Sequence, residues 1–321
     1  MTIARRALLG APLAMLAAPA LAQGRFPNRS IRFLIPWPPG GSLDAMHRAM
    51  FEVFQKDTGQ AVVVENMAGA RGTRAATFLI QQARPDGYTL AHHHLSILRH
   101  PFLTRQPTWD PVADFTPVMQ LTGFVFGTVV RADSPFRDWR QMMDFAKANP
   151  GRLTYSTSGI ATSNHLAKED ILAREGVRME HIPMRGAQEG VTALLGRQID
   201  MVSDAQSWRP HVESGEFRLL AAWTPTRLRF APDAPTLRDL GYGMSVTSPY
   251  GIAGPKGMDP EVVQFLHAAF RKAMLDESVQ RVMRQWEMPD EYLDPAAYMS
   301  FIRERVDYER EMVRRLNLSI D

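Results

Sequence analysis

The apolar positions of the chain follow two rhythms. Short apolar runs, each about as long as a strand, alternate with stretches whose apolar residues recur every three or four positions, the period of one helix face. The runs predict strands at 31–36, 61–65, 89–93, 124–131, 154–156, 201–204, 219–223 and 250–253. Leu43, Met46, Met50, Val53 and Phe54 share one helical face, and Ala76, Leu79, Ile80 and Ala83 share another. Gly59 and Gly87 stop those helices, the second within a Pro85-Asp86-Gly87 turn. Strand, helix, strand in repetition predicts an α/β protein of mostly parallel sheets flanked by helices.

The pattern runs twice, once before about residue 123 and again from 124 to about 247. Helices follow at 260–275, 278–286 and 296–316, the last charge-laced and expected on the surface. The segment 225–249, rich in Pro, Thr and Gly, reads as a loop, after which the strand at 250–253 returns the chain to the first unit. Two lobes are expected, 23–123 plus 249–321 and 124–248, with a ligand cleft between them. The chain shows no repeat at solenoid spacing and no low-complexity tract.

At the N-terminus Arg5 and Arg6 precede an apolar stretch from Ala7 to Leu21 that closes with Ala20-Leu21-Ala22, the pattern of a cleaved secretory signal peptide over 1–22. Export by the general secretory (Sec) route is expected, although the arginine pair before Leu8-Leu9 also resembles a twin-arginine signal. Removing Arg5 and Arg6 takes the 37 basic residues to 35 against 34 acidic ones, so charge points to neither nucleic acid nor an anionic membrane. The chain has no cysteine, which excludes disulfides, thiolate metal sites and cysteine nucleophiles. Stability outside the cytoplasm then rests on the apolar core, and 45% hydrophobic residues over a chain of this length can build one for two lobes.

The stretch "IPWPPGGSLD" at 35–44 leaves the first strand and enters the first helix, where open parallel sheets bind their ligands. Gly40 and Gly41 allow close approach to the main chain, and Ser42 is placed to cap the helix. Prolines at 36, 38 and 39 stiffen the loop and remove three donors. A helix start favours an anion, although the same residues also suit a bare turn. No Lys-Ser/Thr follows the glycines, so this is not a nucleotide P-loop. A second such junction is "YSTSGIATSNHL" at 155–166, where Ser156, Thr157, Ser158, Gly159, Thr162 and Ser163 lead into a helix. It reads either as an anion-binding helix start facing the first or as ordinary capping by Thr162 or Ser163.

With "IRFLIPWPPGGSLD", "VVVENMAGARG", "ARPDGYTL", "WDPVADFTPV", "AKANPGRLTYSTSG", "SNHLAKE", "HIPMRGA", "LLGRQIDM", "PHVESGEFRLLA" and "APDAPTLRDLG" in that order, the chain resembles the Bug-type extracytoplasmic solute receptors of tripartite tricarboxylate transporters over nearly its whole mature length. The resemblance implies a periplasmic, two-lobed, hinge-closing binding protein of type II-like fold, without cofactor and acting as a monomer. By the same resemblance it would hand its ligand to membrane permease subunits of such a transporter. A ligand carboxylate would be held, partly through water, by Trp37, Gly40, Gly41, Ser42 and Asp44 on one jaw and by Ser158, Gly159, Thr162 and Ser163 on the other. Asp204 matches a cleft-facing position that accepts from a ligand amine or hydroxyl, its alternative being a helix cap or an ion-pair partner. Departures include Arg71 and Ala161 where glycine is usual, Ser156 where glycine is common, and Met184-Arg185-Gly186 in place of Tyr-Lys-Gly.

His92-His93-His94 ends the third strand, and alternation sends His92 and His94 to one side and His93 to the other. Ligand contact by His94 and Ser96, a metal site and plain strand-end packing are the competing readings, and the metal reading lacks HExxH and cysteine. Contact of His94 with a carboxylate would make affinity rise as pH falls toward roughly 6. An exported hydrolase or esterase is the rival class, but Ser158 stands in no GxSxG and no close carboxylate pair is evident. A stand-alone sensor fits the same residues, and the identity of the carboxylate, including aromatic or dicarboxylic acids, stays open.

Overall fold

The structure is a computed structural model that describes residues 26–320, so the predicted signal segment lies outside the described residues. Strands β1 (Ile31–Ile35), β2 (Val62–Asn66), β3 (Thr89–His94) and β4 (Phe115–Phe124) precede β5 (Phe126–Arg131), β6 (Thr154–Thr157), β7 (Glu180–Pro183), β8 (Met201–Ala205) and β9 (Phe217–Ala222); β10 (Ser248–Pro255) is last. The helices are α1 (Ser42–Thr58), α2 (Arg74–Gln82), α3 (Leu95–Arg99), α4 (Trp139–Ala148), α5 (Ser163–Glu175), α6 (Ala187–Leu195), α7 (Arg209–Glu213), α8 (Pro260–Met274), α9 (Glu277–Gln285) and α10 (Pro295–Arg315).

The described strands form two five-stranded sheets with equivalent topology, β2-β1-β3-β10-β4 and β7-β6-β8-β5-β9. In each, the fourth strand runs against the other four: β10 is antiparallel to β3 and β4, and β5 to β8 and β9. These reversed strands are the ones by which the chain enters the second lobe and returns to the first. Four strands of each five therefore run the same way, and the mostly parallel sheets expected from the sequence carry one reversed strand apiece.

The run predicted at 124–131 is the joint of two strands, with Val125 alone between β4 and β5. The first half of β4 escapes the hydrophobic rhythm because Pro117, Thr116 and Gln120 interrupt its apolar residues. Strand β7 is missed for a different reason: it is a sheet edge, largely solvent-facing, and has no apolar run to reveal it.

Burial follows the periodicities. Ile31, Phe33 and Ile35 pack on Met46, Met50 and Phe54 of α1 and on Leu266 and Phe270 of α8, whereas Leu34 faces Ala75, Ala76 and Leu79 of α2 across the sheet. Each such side chain contributes about 1.5–3 kcal/mol. Gly59 closes α1 in the left-handed conformation at φ 73°. Helix α10 is less superficial than its charges suggest, because Tyr298, Ile302, Val306 and Glu309 are buried. Among the described residues no helix is long and apolar enough to cross a membrane.

One core residue opposes stability. Lys168 of α5 is fully buried against the Trp139 and Tyr155 rings with no carboxylate hydrogen-bonded to it, and burial pulls its ammonium down to about 7. Unfolding then takes up a proton between pH 7 and the ordinary lysine range, so stability rises as pH climbs from about 7 toward 10. Lys168→Met is expected to raise the melting temperature at pH 7 by several degrees and to flatten that rise. Thermal denaturation of both proteins at pH 7 and 9.5 checks this; equal melting temperatures at pH 7 refute it.

Candidate functional site

The loops leaving β1 and β6 meet across a single cavity between the lobes, with about 630 Å³ of atom-free space, part of it open to solvent. Trp37, Gly41, Ser42, Asp44, His94 and Ser96 line it from the first lobe, and Ser158, Thr162, Ser163 and Asp204 from the second. Gly40 and Gly159, predicted with them, flank the cavity and do not line it. Gly40 is exposed and donates to Asp44 at 3.2 Å, and the Gly159 carbonyl accepts from Thr162 Oγ1 at 2.7 Å.

Two helix starts converge here, each uncapped by a side chain. The N-cap of α1 is Gly41, with Ser42 already inside the helix, and that of α5 is Thr162, whose hydroxyl is spent on Gly159. Capping by Ser42, Thr162 or Ser163 is thereby corrected. The first-turn N–H groups of a 17-residue and a 13-residue helix are left to an outside acceptor, and both macrodipoles favour an anion there.

The two cavity carboxylates differ in charge state. Burial pushes the Asp44 carboxyl upward, but hydrogen bonds from Arg48 at 2.9 Å, Gly40 and Asn66 outweigh it and hold Asp44 below the usual carboxylate range. Its charge is therefore matched by Arg48. Asp204 has no such cation. Burial raises it to about 7, despite the Ser158 hydroxyl at 2.7 Å and the Ala205 N–H at 2.7 Å. None of the described lining residues is Lys or Arg. Ser158 donates to a carboxylate and not to an imidazole, and His165 instead accepts from Ala161 N–H at 3.2 Å, so Ser158 and His165 do not pair.

The histidines split as alternation requires. His93 turns from the cleft, its Nδ1 3.0 Å from the Tyr298 hydroxyl, while the His92 ring lies among those of His94, His47 and Tyr250. Only His94 reaches the cavity, 5.5 Å from the Trp37 ring. Neither ring nitrogen of His94 nor Trp37 Nε1 has a hydrogen-bond partner among the described residues. Burial, with His93 and Arg99 nearby, drives His94 down to about 3, so without a ligand the ring is neutral near pH 6. Among the described residues no three His, Asp or Glu side chains are grouped to hold a metal ion.

Asn164, Gln188, Ser207 and Ser248 supply further polar groups, and Phe124 and Phe126, either side of the β4–β5 joint, supply an apolar wall. Ser207 follows the end of β8, where the strand-end rule would have found it; the others come together only through the lobe crossing. The jaws touch: a Cβ on Gly186 would lie 2.6 Å from Pro38, and Ser248, which begins β10 of the first sheet and not the end of the second lobe, donates from Oγ to Ser163 Oγ at 3.2 Å. Arg71 and Ala161, which stand where the resemblance carries glycine, both hold the left-handed backbone at φ 59°.

Residues 46–318 match the family model described as tripartite tricarboxylate transporter family receptor. The chain is 41% identical over 310 residues to the "UPF0065 protein in gbd 5'region" of Cupriavidus necator, covering 96% of this chain and 94% of that one. Among solved structures it resembles the periplasmic binding protein BugD, with 26% identity and a TM-score of 0.85 over 92% of this chain and 99% of that one. It also resembles MatC from Rhodopseudomonas palustris with bound malate, with 25% identity and a TM-score of 0.81 over 90% of this chain and 100% of the other.

Proposed function

Because the chain belongs to the tripartite tricarboxylate transporter receptor family, whose members are periplasmic solute-binding proteins, we propose that it captures a small carboxylate between its lobes and delivers it to the permease of such a transporter. The observation that carries the reading is the convergence of two long, uncapped helix starts on one cavity that no described Lys or Arg lines. A carboxylate there takes main-chain N–H groups from α1 and α5 with hydroxyls from Ser42 and Ser163, the Thr162 hydroxyl being held by the Gly159 carbonyl. Trp37 and His94 line the cavity from the first lobe with ring nitrogens that have no hydrogen-bond partner among the described residues. The malate bound in MatC supports an organic acid as the ligand class. Phe124 and Phe126 leave an apolar surface for the rest of the molecule.

Capture proceeds by closure: the anion settles on one jaw and the second adds its donors, so that the closed form carries the signal to the permease. Residues 1–22 direct export to the periplasm and are removed. In a thermal-shift panel of mono-, di- and aromatic carboxylates, at least one acid is expected to stabilise the protein, by about 2.7 kcal/mol at 100 times its dissociation constant. A panel in which sugars or neutral amides shift the melting point and no acid does refutes the carboxylate reading.

A further inference from the structure

We propose that Arg99 is the positioning residue for capture: a buried guanidinium of the first lobe that fastens the second lobe's binding loop in the closed form. Arg99 ends α3, immediately after the strand that carries His94, and its side chain is 2% exposed. On one side its Nε donates to Glu309 of α10 at 2.6 Å, a carboxylate that is itself fully buried and accepts from Arg305 at 2.8 Å. Helices α3 and α10 both belong to the first lobe, so this pair is formed before any closure.

The remaining donors cross to the second lobe. Nη1 donates to the Ala161 carbonyl at 2.7 Å, and Nη2 lies 3.4 Å from Ser163 Oγ. Ala161 and Ser163 bracket Thr162, the N-cap of α5, and Ser163 lines the cavity. The Ala161 side chain is packed with Leu103 and Val313 of the first lobe, which places the whole turn on first-lobe surface. Arg99 itself does not line the cavity, so it acts on the ligand only through where it holds the start of α5.

The chemistry suits the task. A guanidinium presents its donors in one rigid plane, so Glu309 on the Nε edge aims the terminal nitrogens at the opposite lobe. Opening would strip a buried cation of the Ala161 carbonyl while leaving it paired with Glu309, and closure restores a charge-assisted bond in a dry interface. Lysine offers a point charge that cannot serve Glu309 and Ala161 in the same geometry.

The test uses the full mature chain with Arg99→Met and Arg99→Lys. Folding is verified by a cooperative melt, and Arg99→Lys keeps a cation beside Glu309 should the methionine variant fail to fold. Small-angle scattering of the ligand-free variants is expected to give a larger radius of gyration than wild type. For an acid found in the thermal-shift panel, affinity is expected to fall about 10- to 100-fold, through faster dissociation with association little changed. A folded variant with the wild-type radius and dissociation rate overturns the proposal. The affinity arm rests on the carboxylate reading of the cleft, whereas the scattering arm does not; if no acid binds even the wild type, that reading fails and scattering alone decides the role of Arg99.

Discussion

Asp204→Asn is expected to make the ligand-free protein more stable at pH 8 and a poorer receptor. In the unfolded chain an aspartate titrates near 3.9, whereas burial at the end of β8 raises Asp204 to about 7. The folded state therefore holds a proton that the unfolded state has released between pH 4 and 7. The stabilising contribution of that proton is present at low pH and is lost as pH climbs through 7. A shift of about three units corresponds to about 4 kcal/mol as an upper bound. Asparagine keeps an acceptor for Ser158 and the Ala205 N–H but carries no charge to desolvate. Its gain in melting temperature should be several degrees at pH 8 and shrink toward pH 5.

Binding should respond in the opposite direction. A buried carboxylate kept without a cation is suited to receive an amine or hydroxyl of the ligand. Acids carrying such a group are expected to lose about tenfold or more in affinity in the variant, while acids lacking it change little. For the wild type, affinity for an amine-bearing acid should weaken as pH falls below about 7. Calorimetric titration at pH 6 and 8 with matched acids, alongside melts of the ligand-free proteins, reads both effects. Unchanged stability at pH 8 together with unchanged affinity would remove Asp204 from the site.

Gly72→Ala is expected to damage the cleft from behind. Gly72 has φ 83°, and a Cβ there would lie 2.6 Å from Trp37 Cη2 and 2.8 Å from His94 Nε2. Two costs combine: about 1 kcal/mol for the left-handed backbone, and about 1–3 kcal/mol for crowding rings that have little room to retreat. The yielding direction is into the cavity, so ligand affinity should drop by at least tenfold in addition to the loss of stability. Gly59→Ala is the control, because Gly59 has a similar φ of 73° and open space around it. It should lose stability alone. Equal ligand affinity in the two variants would mean that the wall formed by Trp37 and His94 is not part of the site.

Read one residue at a time, the chain made some of this site plain. The turn at 37–44 and the hydroxyls at 158–163 follow strand ends, Asp204 is the next-to-last residue of β8, and strand ends are where an α/β sheet presents its loops. The side of His94 followed from alternation, because successive strand side chains point to opposite faces. Its charge state did not, since what lowers an imidazole from 6.5 to about 3 is burial first, with the nearby His93 and Arg99, and all three are set by the tertiary structure. Ser42 and Thr162 looked like caps by residue type, yet where the helix begins and which partner takes the hydroxyl are settled by a shift of one residue and by Gly159.

The sequence by itself determined the α/β architecture, the alternation of strands and helices and the positions of the two loops that line the cavity, because hydrophobic period and turn chemistry are local properties. Only the tertiary structure decided the rest. It reversed β5 and β10 within their sheets, brought Phe124, Phe126, Asn164 and Ser248 to one cavity, buried Lys168 and Asp204, and joined Arg99 to Glu309 and Ala161 across intervals of 210 and 62 residues. These depend on contacts between residues distant in the chain, and the energies of buried charge and of the contacts between the lobes arise from them alone.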